Sequence, residues 1–91
     1  MRLFDCHNHI QDERLSDNLA GILARAQNAG VVKMGVKGCC EADWPRVIRI
    51  MQTCPGIYPS FGIHPWEIGG RSAEWLACLE ALLLTYPQAG V

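Results

Sequence analysis

The chain has 91 residues, 49% of them hydrophobic and 19% charged, with a formal net charge of −1. That length allows one domain at most. The near-neutral charge excludes binding nucleic acid through a broad basic surface alone, and the lack of any apolar run of about 20 residues excludes a membrane-spanning helix.

In chain order, Arg2–Cys6 is a short apolar strand, and residues 16–30 form an amphipathic helix. In that helix Leu19, Ile22, Leu23 and Ala26 recur at helical spacing, Ser16 or Asp17 is the expected N-cap, and Gly30 is the expected stop. Residues 31–38, VVKMGVKG, are short and β-branched and predict a second strand. Asp43 is placed to cap the next helix, with Pro45 in its first turn and Val47, Ile48 and Met51 on its apolar side. Pro55–Gly56 ends that helix, and residues 57–63 predict a third strand with Pro59 inside it. Ser72 is the expected cap of a third helix, whose face comprises Trp75, Leu76, Leu79, Leu82 and Leu83. After Pro87, residues 89–91 begin a fourth strand.

Strands alternating with helices imply parallel pairing. A parallel sheet is covered on both faces, either by double winding or by closing into a barrel. The five cysteines are odd in number and show no C-x-x-C pair, so structural zinc and disulfide frameworks are not indicated. With no signal-peptide pattern at the start, reduced thiols in the cytoplasm are expected.

Two short stretches carry the chemistry. FDCHNHI, residues 4–10, holds two of the three histidines. If the extended backbone persists, Asp5, His7 and His9 point the same way, with the two imidazoles about 7 Å apart along the strand. Neutral imidazoles at that spacing can share a divalent ion, and Asp5 can orient one of them. The plainer reading is a pair of surface-loop histidines. GIHPW, residues 62–66, holds the third histidine, His64, on the strand side of Ser60 and Gly62. The plainer reading there is a half-buried turn histidine.

Taken together, D-x-H-x-H after an N-terminal strand and G-I-H-P after the third strand resemble the TatD family of metal-dependent deoxyribonucleases and related hydrolases. The resemblance runs in order through almost the whole chain. It implies the N-terminal part of a (β/α)8 barrel: three βα units and the start of a fourth strand, forming one incomplete hydrolase domain over residues 1–91. It further implies one or two divalent ions (zinc, magnesium or manganese) and hydrolysis of phosphodiesters, in DNA or a related substrate. His7 and His9 fall on metal-ligand positions, and His64 falls on the position of a histidine near the substrate phosphate.

The chain departs from the family pattern in two ways. A G-E-x-G-L-D stretch and the later ligands do not appear, so the chain alone is expected to be inactive. Lys37 and Cys39 stand where the family has other residue types, and Lys37 is expected to be solvated rather than turned to the site. Two other readings remain open. One is a different amidohydrolase-type barrel acting on amide or ester bonds, and the other is a non-catalytic βα module that completes its sheet with a partner.

Overall fold

The computed structural model describes all residues, Met1–Val91. Three strands form one parallel sheet in the order β1-β2-β3: β1 Leu3–Asn8, β2 Val31–Lys37 and β3 Ile57–Ser60. The helices α1 Leu19–Asn28, α2 Trp44–Thr53 and α3 Trp75–Thr85 follow the strands in turn. Ser60 forms a parallel bridge with Gly90, so the expected fourth strand does begin on the far side of β3.

The helices share one face of the sheet. Met34 and Val36, alternate residues of β2, join Trp44, Val47 and Ile50 of α2, Leu79 of α3, and Ile10 and Phe61 in a single buried cluster, with Leu19, Ile22, Leu23 and Ala26 of α1 packed against it. Alternation along β2 turns Lys33, Gly35 and Lys37 to the other face. On that face Phe4 and Tyr58 meet at 5.8 Å between ring centres, and the Lys33 ammonium lies 5.7 Å from the Tyr58 ring centre. Phe4 is 55% exposed and Tyr58 is 43% exposed, so no helix covers this face. The helices are therefore not doubly wound, and the architecture is that of the N-terminal βα units of a (β/α)8 barrel. The accessible surface bears this out: it measures 6037 Å², against about 5,300 Å² for a compact chain of 10.1 kDa.

Several local expectations change. The first helix begins later than residue 16, because residues Glu13–Asn18 form a 3₁₀ turn. The cap of that turn is Asp12, whose Oδ1 accepts the Arg14 N–H at 2.9 Å, while α1 itself starts after Asn18 with no side-chain cap bond. The Arg14 guanidinium, at 2.7 Å, holds the Asp12 carboxyl well below the usual carboxylate range. Gly30 does end α1, at φ +100°, a conformation that disfavours any side chain. In α2 the buried residues are Trp44, Val47 and Ile50, while Met51 is only half-buried. In α3 Leu76 is 60% exposed and only Leu79 is buried. The third strand stops at Ser60, and Pro59 is tolerated in it, fully buried against the helices.

Ser72 is not the helix cap itself. Its N–H and hydroxyl each donate to the Glu41 carboxylate at 2.7 Å, and its Oγ accepts the Glu74 N–H at 3.2 Å. The pair ties the turn before α3 to the turn before α2. The hydroxyl, then the N–H, lowers the Glu41 pKa from its ordinary 4.5. The folded value lies below the unfolded one, so this contribution to stability is full above the unfolded value and is lost as pH falls through the folded value. Ser72→Ala is therefore expected to move the Glu41 titration back toward 4.5. Carboxyl-carbon NMR measures this, and an unmoved titration would show that the serine is not the cause.

Candidate metal and phosphate site

The C-terminal ends of the three strands converge on a cavity of about 340 Å³ whose lining includes His7, His9, Lys37, Ser60 and His64. The three histidines, separated by up to 57 residues in sequence, thus meet at one end of the sheet, the end where parallel α/β folds place ligands.

β1 delivers His7 and His9, but not by simple alternation. Between the pairs Asp5↔Met34 and Asn8↔Val36, β1 spends one residue more than β2. Such a bulge re-aims the side chains that follow it. Asp5 consequently does not meet an imidazole. Its Oδ1 accepts the His7 N–H at 3.2 Å and its Oδ2 accepts the Asn8 side-chain amide at 2.9 Å. Asn8 Oδ1 in turn accepts the Ile10 N–H at 3.4 Å. Asp5 thus braces the loop that carries both histidines and orients them through the backbone.

His9 is fixed through its ring. Nδ1 lies 2.7 Å from the Lys37 carbonyl oxygen. A carbonyl only accepts, so Nδ1 carries the proton and Nε2 keeps its lone pair. This is the arrangement that metal-ligating histidines show, with one nitrogen on a carbonyl and the other on the ion. The His7 ring makes no hydrogen bond, is exposed, and lies edge-on to His9 at 5.2 Å between ring centres. Two imidazoles on one tetrahedral ion, with metal–nitrogen distances of about 2.0–2.1 Å, have ring centres about 5 Å apart. The ring separation therefore fits a shared divalent ion. The fit extends to two donors only, since no group of three or more His, Cys, Asp and Glu side chains is placed to hold one.

The Lys37 carbonyl gathers three groups. Besides His9 it accepts the Gln11 side-chain amide at 2.7 Å, and the Cys39 thiol lies 3.8 Å away. Burial, followed by the Asp43 carboxylate, pushes the Cys39 thiol up, so it is an S–H at neutral pH.

Behind this hub is Asp43, which the sequence suggests only as a helix cap. It makes no cap bond to α2. Instead its buried carboxylate turns back to accept the Cys39 N–H at 3.1 and 2.9 Å, the Cys40 N–H at 3.3 Å and the Gln11 amide at 2.9 Å. Asp43 and Gln11 are the supporting residues that sequence reasoning misses. Their only signal is that each is a polar residue in a turn next to a strand end, which is too common to single them out.

His64 is set by both neighbouring loops. Its N–H donates to the Cys39 carbonyl at 2.7 Å, and the Gly38 N–H donates to the Ser60 carbonyl at 2.8 Å. Its Nδ1 accepts the Trp66 N–H at 3.1 Å at the start of the 3₁₀ turn Pro65–Gly70. That acceptor role leaves the proton on Nε2, so neutral His64 presents a donor where His9 presents a lone pair.

Lys37 differs from expectation. It is half-buried, lines the same cavity, and donates from Nζ to Ser60 Oγ at 3.1 Å. The lysine folds back over Gly35 rather than into solvent, with Nζ 3.4 Å from where a Cβ at Gly35 would lie; the Cys6 carbonyl oxygen comes closer still, at 2.6 Å.

Comparison with known proteins agrees with this geometry. A family model described as TatD related DNase matches residues 4–91. The crystal structure of YjjV, a TatD homologue from Escherichia coli K12, is similar at a TM-score of 0.86 and 28% identity. The match covers 94% of this chain and 33% of that one, so the chain spans about a third of the length of that structure. No curated protein matches the sequence.

Proposed function

The chain belongs to the TatD-related DNase family, and from that premise we propose that His7, His9 and His64 serve a metal-dependent hydrolase that cleaves phosphodiester bonds. The observation that carries this reading is that His9 and His64 line one cavity with complementary ring nitrogens. His9 is held with a free Nε2 lone pair, and His64 is held with an Nε2–H donor.

His7 and His9 would hold a divalent ion (zinc, magnesium or manganese), which when bound activates water and polarises a phosphoryl oxygen. His64 donates a hydrogen bond to a phosphate oxygen. Trp66, 90% exposed and 4.9 Å from His64 between ring centres, offers a face on which a base can stack. Asp5 and the Lys37 carbonyl keep the two histidines in place. Catalytic ions usually take at least three protein ligands, so turnover by these residues alone is expected to be negligible, and activity belongs to an assembly that supplies further ligands. The uncovered inner face of the sheet, with Phe4 and Tyr58, is where such an assembly would pack. No helix of the structure is long and apolar enough to cross a membrane. The five free cysteines fit a reducing cytoplasmic setting.

A chimera tests the reading. Residues 1–91 replace the matching third of the E. coli TatD homologue, and the product is assayed on DNA and on simple phosphodiesters, carboxylic esters and lactones. Metal-dependent phosphodiester cleavage, lost on His64→Ala, is the expected outcome. A folded, metal-loaded chimera that cleaves esters or lactones and no phosphodiester would assign the chain to another amidohydrolase-type activity.

A further inference from the structure

We propose that Lys37 is a phosphate-anchoring residue of this cavity, its ammonium binding a phosphoryl oxygen of the substrate beside His64. The inference deepens the phosphodiesterase reading and rests on it for the identity of the substrate.

Four observations carry it. The ammonium has three donors, and only one is used within the chain, on Ser60 Oγ. It has no carboxylate partner, since the sole ion pair is Arg14–Asp12. Lys37 shares the cavity lining with His64, whose Nε2 carries the proton. Finally, the position is built rather than incidental. Ser60, itself bridged to Gly90, accepts from Nζ at 3.1 Å, and Nζ lies over Gly35, 3.4 Å from where a Cβ would be.

A half-buried cation with two free donors, lining the same cavity as the His64 Nε2–H, makes a site for an oxyanion. Hydrogen bonds to charged groups are stronger there than at the surface. Lysine binds phosphate as a point charge, so an arginine at position 37 can replace it in charge though not in shape.

Inorganic phosphate, titrated into the metal-free chain at low ionic strength and followed by NMR, tests the assignment. Expected shifts centre on the Lys37 side-chain signals, Ser60, Gly62 and His64. Lys37→Met is expected to weaken binding roughly tenfold or more, and Lys37→Arg by no more than about threefold. The Lys37 side-chain shifts in the unmodified chain need no variant, so a Lys37→Met chain that fails to fold does not remove the test. Unchanged affinity in a folded Lys37→Met chain, or shifts centred elsewhere with Lys37 silent, overturns the assignment. Dimethyl phosphate separates the two readings. If inorganic phosphate binds through Lys37 and the diester does not, the anchoring role stands for terminal phosphates and the phosphodiester reading fails.

Discussion

Asp43→Ala is expected to lower the stability of the chain by about 2–4 kcal/mol, the largest single-residue effect outside the apolar core. The carboxylate is buried and accepts from the Cys39 and Cys40 N–H groups and from Gln11. Its removal leaves two backbone donors in the loop after β2 without a partner, at about 1–3 kcal/mol each when they stay dry. Losing an ordinary helix cap costs typically about 1 kcal/mol, so the size of the effect separates the observed role from the one the sequence suggests. A chain of this length is stable by only about 5–14 kcal/mol at the usual 0.05–0.15 kcal/mol per residue, so the loss is a large fraction of the total. Asp43→Asn keeps the shape and one acceptor but turns a donor toward Gln11, and an intermediate loss is expected. Urea denaturation measures both. A change within about 0.5 kcal/mol for Asp43→Ala would mean that water satisfies the loop and that Asp43 is not its support.

The second large effect concerns the ion. His7→Ala and His9→Ala are each expected to reduce divalent-ion affinity at least about tenfold, and the double variant to abolish measurable binding. Cys39→Ser keeps a donor toward the Lys37 carbonyl and is expected to change affinity by less than about threefold. That contrast matters because the Cys39 sulfur lies 3.4 Å from His9 Nδ1, and a thiol is a strong zinc ligand once deprotonated. Isothermal titration with zinc under reducing conditions distinguishes the two. If Cys39→Ser removes binding and His7→Ala does not, the ion sits on the sulfur side of His9, and the His7–His9 pair is not the site.

Much of the site is legible in the sequence because each piece sits just after an element with a clear pattern. D-x-H-x-H follows the β1 run and G-I-H-P follows the β3 run, so parallel topology alone brings His7, His9 and His64 to one end of the sheet. The features that stay hidden depend on neighbours distant in sequence. The extra residue in β1 appears only against its pairing with β2, and it turns Asp5 from the rings to the backbone. The path of Lys37 depends on its hydrogen bond to Ser60, 23 residues later, so a lysine at a strand end reads as solvated by default. Asp43 fits a cap by composition. Only the positions of Cys39, Cys40 and Gln11 reveal that its oxygens face the other way.

Paramagnetic mapping with manganese tests the central assignment most directly. Substoichiometric Mn²⁺ is added to the isotopically labelled chain, and the loss of signal is followed residue by residue. The expected result is broadening centred on the His7 and His9 imidazoles, strongest at ring positions next to His9 Nε2, then weakening through Lys37 and His64 and absent at α3. Broadening centred on the Asp12–Glu13 carboxylates, or spread evenly over the acidic surface, with both imidazoles sharp, would contradict a metal site at the His7–His9 pair.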